Sequence, residues 1–141
     1  MPTKNLKYQT KIDEIPNCPP KAARERQIDA FRIVFEDIKQ LNNFLPNSIR
    51  KPARANSGDD VKKCSGYALS FYTKDDSAEN EYKKLINIFK NFAKNVGNHL
   101  ASGRIIEEHG LCTDEDENNH FDLHEYEDCD LVPVFKIIKK L

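Results

Sequence analysis

Apolar residues recur at helical spacing in two stretches of the chain. The first stretch follows Pro19 and Pro20, and its apolar positions are Ile28, Phe31, Val34, Phe35, Ile38 and Leu41. Steps of three and four residues place these side chains on one face of an α-helix. Proline suits the first turn of a helix because its missing N–H has no partner there. The pattern predicts a packing helix that starts at Pro20 and ends before Pro46.

A second helical pattern extends from residue 76 to residue 96. Its apolar positions are Tyr82, Leu85, Ile86, Phe89, Phe92, Ala93 and Val96. Asp76 and Glu79 have the spacing of a capping box, with an acceptor at the N-cap and a carboxylate three residues later. Gly97 suits the C-terminal cap because glycine takes positive φ at little cost. The sequence therefore predicts an amphipathic helix between these caps.

Elsewhere the apolar pattern is that of short strands. Tyr67, Leu69 and Phe71 share one face of the segment 67–73, which is rich in strand-favouring residues. Three shorter apolar segments follow, at 105–106, 121–126 and 134–138. The predicted order is α-β-α-β-β-β. We expect an α+β fold in which two helices pack on one face of a small, mostly antiparallel sheet.

The same pattern predicts the domain organisation. Residues 1–19 contain three prolines and no sustained periodicity, which indicates an N-terminal arm. Residues 20–141 have the size of a single α+β domain. Residues 47–63 carry seven charges and few apolar residues, which predicts a long and mobile loop within that domain.

Charge is distributed unevenly along the chain. Residues 1–54 contain 11 Lys or Arg against 6 Asp or Glu, whereas residues 104–141 contain 4 against 11. Such asymmetry can steer a charged partner, although it does not determine the fold.

The four cysteines, Cys18, Cys64, Cys112 and Cys129, are widely separated in the chain. They form no C-x-x-C pair, and no apolar export signal follows the N-terminus. We therefore expect reduced thiols and a cytoplasmic location without a membrane segment.

The segment 107–130 concentrates the residues that could bind an ion. In a first interpretation, residues 114–125 resemble a twelve-residue calcium loop. Its oxygen ligands would be Asp114, Asp116, Asn118, Asp122 and Glu125. Asn119 stands at the sixth position, where such loops need glycine for a sharp turn, and the flanking Gly110 and Pro133 interrupt helices on either side.

A second interpretation uses the period of a strand. One face of the strand would carry His120, Asp122 and His124, because alternate residues point to the same side. Neighbouring side chains in this set would lie about 7 Å apart. Nitrogen and oxygen donors suit zinc or another transition metal. Completing ligands would be His109, Cys112 or Cys129, if the hairpin brought one of them near.

A third interpretation needs no ligand. Residues 114–119 then form a solvated hairpin loop, and Asn118 and Asn119 tolerate a left-handed turn. The surplus carboxylates form an interaction surface. We assign partner binding to Glu115, Asp116, Glu117, Glu127 and Asp128.

Motifs with a known catalytic mechanism are absent. The sequence has no glycine-rich phosphate loop, no H-E-x-x-H and no G-x-S-x-G, which favours a non-catalytic protein but leaves catalysis open. The basic run 50–54 could touch phosphates, yet it contains no aromatic residue for base stacking, so nucleic acid is not the expected partner. We predict an intracellular regulator, inhibitor or immunity-type module that binds a basic protein through its acidic hairpin. A calcium or zinc protein is the alternative.

Overall fold

The computed structural model describes residues 4–141 of the chain. Its helices are α1 (Gln9–Ile12), α2 (Asn47–Arg50), α3 (Asp60–Ser65), α4 (Asp75–Ile88) and α5 (Phe92–Val96). Its strands are β1 (Ile28–Val34), β2 (Leu69–Tyr72), β3 (His99–Ile105), β4 (Gly110–Cys112), β5 (His120–Glu125) and β6 (Lys136–Lys140). Short 3-10 turns occupy Leu41–Phe44, Pro52–Asn56 and Glu107–His109. The predicted α+β class is confirmed.

The strands form one antiparallel sheet in the order β4-β5-β2-β1-β3-β6. Residues that pair across neighbouring strands point to the same face. Leu69 pairs with Leu123, and Phe71 pairs with Phe121, so these four side chains share a face. All four are buried, and they centre the main core.

Residues outside the strands cover this core face. The ring of Phe71 packs against the rings of Phe121 and Phe135, with centroids 5.6 Å and 5.4 Å away. Cys129 and Leu131 join the same cluster, so the segment that follows β5 closes the core. Stacked rings and close aliphatic packing of this kind stabilise a fold mainly through apolar burial.

A second apolar cluster brings the N-terminal segment against the body of the protein. Its buried members are Leu6, Ile12, Tyr67 and Tyr126. Leu6 forms an isolated bridge with Tyr126, and the backbone N–H of Lys7 donates to the carbonyl of Glu125. The described part of the predicted arm, residues 4–19, is therefore packed along the end of β5. Residues 1–3 lie outside the described residues.

The predicted first helix is wrong, because Ile28–Val34 is strand β1. The element order α-β-α-β-β-β and the two-helix layer are wrong for the same reason. β1 lies inside the sheet between β2 and β3. Ala30 and Val34 point into the main core, while Ile33 is buried on the opposite face. Apolar residues on both faces of a strand obscure the simple alternation, and their spacing here also matches a helical period.

The predicted second helix is present but divided. α4 ends at Ile88, and α5 begins only at Phe92. The capping box is not formed, because Lys74 occupies the N-cap and has no side-chain cap bond. Gly97 does end α5 with a φ of 102°, and a Cβ there would lie 2.1 Å from the carbonyl oxygen of Val34. Glycine is therefore required at this position.

The segment 47–63, predicted as a loop, contains short helical elements. It contains α2, the turn Pro52–Asn56 and the start of α3, whose N-cap Asp59 accepts a hydrogen bond from the backbone N–H of Lys62. Within residues 4–141, none of the helices has the length and apolar character that a membrane crossing requires.

Candidate functional site

Two of the four carboxylates in the acidic loop between β4 and β5 pair with arginines. Arg24 donates to Asp114 at 2.6 Å, and Arg26 donates to Glu115 at 3.0 Å. These arginines precede β1, and the pairing of Arg24 with Cys112 holds them beside the loop. An exposed ion pair contributes little to stability, but it removes net charge from the surface.

Asp116 is used by the turn itself. One oxygen of its carboxylate accepts from the backbone N–H groups of Asn118 and His120, at 2.8 Å and 3.0 Å. Asn119 takes the left-handed conformation, with a φ of 62°, as the hairpin interpretation expects. The loop is therefore held by its own side chains.

The five predicted partner-binding carboxylates do not form one surface. Glu115, Asp116 and Glu117 lie before β5, whereas Glu127 and Asp128 lie after it. Six residues of β5 separate the two groups by about 20 Å. The predicted acidic patch is thus divided between opposite ends of the strand.

The structure does not gather the five predicted calcium ligands either. Asp122 and Glu125 are three residues apart in β5, so they point to opposite faces of the sheet. Asp114 pairs with Arg24. Glu125 is buried, and the ammonium of Lys7 donates to it at 2.9 Å. Burial nevertheless raises the pKa of this carboxyl, with Lys7 acting against the shift.

The three predicted transition-metal ligands do share one face of β5, but they have separate neighbours. His120 lies 3.7 Å from Asp122, and the hydroxyl of Ser65 donates to the other oxygen of Asp122 at 2.8 Å. His124 instead faces Cys64, with 4.0 Å between its Nε2 and the Cys64 Sγ. The strand therefore distributes these side chains over two microenvironments.

The residues proposed to complete that metal shell lie elsewhere. Cys112 pairs with Leu123 and belongs with Cys129 to the main core, on the face opposite His124. The Nδ1 of His109 accepts from the backbone N–H of Ile106 at 3.0 Å. None of the three approaches the predicted site.

Cys18 and Cys64 form a disulfide, so the prediction of four reduced thiols is wrong for this pair. The bond links the N-terminal segment to α3 across 46 residues of sequence. One ligand atom from each of Cys18, Cys64 and His124 lies within 4.8 Å of the others. Burial lowers the pKa of His124 to about 4, so the imidazole is neutral at neutral pH.

A basic cleft lies on another part of the molecule, between α2, the turn Pro52–Asn56 and the junction of α4 with α5. Its volume is about 440 Å³. Its cationic side chains are Arg50, Lys51, Arg54 and Lys90, and its apolar side chains include Ile88, Phe89 and Phe92. The lining, drawn from the described part of the chain, contains no Asp or Glu. Positive charge is therefore left unpaired beside apolar surface.

The local fold explains how these groups meet. Arg50 ends α2 and donates to the carbonyl of Asn95 in α5, which joins the two walls of the cleft. Burial and the neighbouring Arg54 both lower the pKa of Arg50, as expected for clustered cations. α4 ends at Ile88, and Phe89 then takes an extended conformation.

The break between α4 and α5 leaves two large apolar residues exposed to solvent. Phe89 is 57% exposed and Ile88 is 59% exposed, whereas a continuous helix would have placed Phe89 on the core face. The helical pattern predicts a core position for Phe89 and does not include Ile88, so it indicates neither residue for a surface site. The available signal was the pair Asn87 and Asn91, because asparagine has a low helix propensity and favours caps and turns.

The chain was compared with protein families, with curated proteins and with solved structures, and none of the three comparisons found a match.

Proposed function

We propose that the protein is a non-catalytic module that binds another protein, and that its binding surface is the basic cleft. The proposal keeps the interaction role expected from the sequence and moves it away from the acidic residues. One observation carries it. Four cationic side chains and two exposed apolar side chains share one cleft, and no carboxylate lines it in the described chain.

The charges favour an anionic partner. Lys51, Arg54 and Lys90 are exposed in the cleft. Asp59, which is close in sequence, caps α3 and is absent from the cleft lining. Complementary charge raises association rates and selects partners of opposite sign.

The apolar wall favours a polypeptide over a nucleic acid. Bases stack on flat aromatic faces, and Phe89 offers one. Ile88 and Val96 are branched aliphatic residues in the same lining, and they suit an apolar side chain rather than a base. The occupant that fits both features is an acidic peptide segment with one apolar anchor.

A synthetic peptide tests this proposal. A fluorescein-labelled nonapeptide with a central leucine among aspartates and glutamates is titrated with the protein, and anisotropy is measured at low and moderate salt. Matched peptides replace the leucine by alanine, or the acids by glutamine and asparagine. We expect the parent peptide to bind most tightly, and its affinity to fall as salt screens the cleft.

Charge reversal at the cleft provides the matched protein variants. Lys51→Glu with Arg54→Glu should weaken binding by about 100-fold, roughly tenfold for each reversed contact. Lys11→Glu with Lys21→Glu makes the same change in net charge at exposed lysines outside the cleft, and should leave affinity within about twofold. Equal losses in the two variants would contradict the proposal. Tighter binding of an oligothymidine of equal charge would assign the cleft to nucleic acid instead.

A further inference from the structure

The cluster of Cys18, Cys64 and His124 is independent of the basic cleft and has its own chemistry. The three residues come from the N-terminal segment, from α3 and from β5. His124 is 3% exposed and Cys64 is 3% exposed, while Cys18 is half-buried and marks the side that solvent can reach. The fold has therefore collected two sulfurs and one imidazole nitrogen from distant parts of the sequence.

These donors match the preferences of zinc. Zinc bonds thiolate sulfur at about 2.3 Å and imidazole nitrogen at about 2.0 Å, in a tetrahedral arrangement. Such a shell separates two sulfurs by about 3.8 Å and a sulfur from a nitrogen by about 3.6 Å. The observed separation of 4.0 Å between Cys64 Sγ and His124 Nε2 is already close to this value.

The disulfide must be reduced before its sulfurs can join that shell, because zinc binds each cysteine as a separate thiolate. Rotation of the half-buried Cys18 side chain can then separate the two sulfurs. Hard cations such as calcium prefer oxygen ligands, so the donor set excludes them here.

The two states of the cluster differ by a defined reaction. A dithiol reductant transfers two electrons and two protons to the Cys18–Cys64 bond, and is itself oxidised to a disulfide. Both cysteines are then thiols, and each loses its proton to solvent when a metal binds. The cytoplasmic location expected from the sequence would favour the thiol state.

We propose that the reduced protein binds one zinc ion through Cys18, Cys64 and His124, with the fourth position open to water. The ion then takes the place of the disulfide as the link between the N-terminal segment, α3 and β5. This site shares no residue with the basic cleft. The test of zinc binding is therefore independent of the test of peptide binding.

Metal titration of the reduced protein tests the proposal. The protein is reduced with a phosphine, which does not bind zinc strongly, and is freed of metal with a chelator. Zinc is then added in competition with a chromophoric chelator, and cobalt(II) is added in a parallel sample. We expect one equivalent of zinc in the reduced protein and none in the oxidised protein. Cobalt should give a thiolate charge-transfer band and the visible spectrum of a tetrahedral site.

Variants separate the cluster from the other thiols. Cys18→Ser keeps the fold's buried groups in place, because Cys18 is only half-buried, and should weaken zinc binding by on the order of 100-fold or more. Cys112→Ser removes a thiol of the main core and should leave zinc affinity unchanged. Circular dichroism confirms that each variant is folded.

Three results would overturn the proposal. They are the absence of zinc binding in the reduced protein, equal binding in the oxidised and reduced forms, and equal loss in Cys18→Ser and Cys112→Ser. His124→Gln provides a further check, because its cobalt spectrum should lose the nitrogen ligand while the thiolate band remains. An unchanged spectrum in that variant would count against the site.

Discussion

The acidic segment 113–128 and the basic cleft carry opposite charges, and the fold pairs these charges to different extents. The acidic segment is the more highly charged of the two in sequence. Yet two of its carboxylates pair with Arg24 and Arg26, one holds a turn, and Glu125 is buried against Lys7. The cations of the cleft come from two separate stretches of chain and have no carboxylate beside them in the described lining.

This comparison shows that charge density along a chain does not predict how much of that charge stays unpaired after folding. What matters is how much charge remains unpaired after folding, and whether apolar surface lies next to it. The acidic segment uses much of its charge internally, for a turn, for ion pairs and for one buried contact, while Glu117, Glu127 and Asp128 remain exposed. The cleft offers its charge to solvent, beside Ile88 and Phe89.

The largest expected effect concerns the buried carboxylate of the acidic segment. Lys7→Met leaves Glu125 buried without its cation and should lower the free energy of unfolding by about 4 kcal/mol at neutral pH. Arg24→Met breaks the exposed pair with Asp114 and should cost less than about 1 kcal/mol. Urea denaturation measures both. Because the pKa of Glu125 is already raised, the loss in Lys7→Met should shrink at lower pH. Similar losses in both variants would mean that burial does not distinguish these pairs.

The next effect is an acid sensitivity set by His124. Its pKa is lowered from 6.5 to about 4, so the unfolded chain binds more protons than the folded protein between these values. Stability contributed by His124 is therefore present above pH 6.5 and is lost as pH falls toward 4. The loss amounts to about 3 kcal/mol.

Denaturation at several pH values checks this expectation in the wild type and in His124→Gln. The variant should have a flatter profile between pH 4 and 6.5. Asp122 and Glu125 have raised pKa values and act in the opposite direction, since the folded state binds their protons more readily. Both carboxyls are present in the two proteins, so the difference between the profiles isolates His124. Parallel profiles would remove His124 as the cause.

A smaller effect should follow from the apolar side of the cleft. Phe89→Ala should weaken binding of the acidic peptide by about tenfold, because it removes an anchor contact. It should change the free energy of unfolding by less than about 0.5 kcal/mol, since the side chain is more than half exposed. Anisotropy and urea denaturation separate the two quantities. A large loss of stability would assign Phe89 to the core.

The smallest effect is expected from the acidic loop itself. Glu115→Lys with Glu117→Lys reverses two charges there and should change affinity for the acidic peptide by less than about threefold. We expect that neither the wild type nor this variant captures a lysine-rich peptide. If the wild type bound a basic peptide strongly and this variant did not, the acidic loop would be the interaction surface instead.

The fold class and several local features could be predicted from the sequence because they depend on neighbouring residues. Leu69 and Phe71 alternate in a core strand, and Phe121 and Leu123 do the same in β5. Gly97 ends a helix through its own backbone freedom. Each feature is settled by steric preference and apolar period within a few residues.

The candidate sites could not be predicted in the same way. His124 was singled out as a ligand, but its sulfur neighbours lie 60 and more residues away in sequence. The basic run 50–54 contains no aromatic residue, and the two that accompany it in the cleft, Phe89 and Phe92, come from the junction of α4 and α5. Residues that come together only in the folded structure leave no local pattern in the sequence.

By itself, the sequence determined the two alternating core strands β2 and β5, the helix end at Gly97, and the distribution of charge along the chain. Tertiary structure decided the rest. It made Ile28–Val34 a strand by pairing it with β2 and β3, it joined Cys18 to Cys64, and it paired two carboxylates of the acidic loop with arginines. The physical reason is that burial, charge pairing and ligand geometry depend on neighbours in space, whereas periodicity reports only neighbours along the chain.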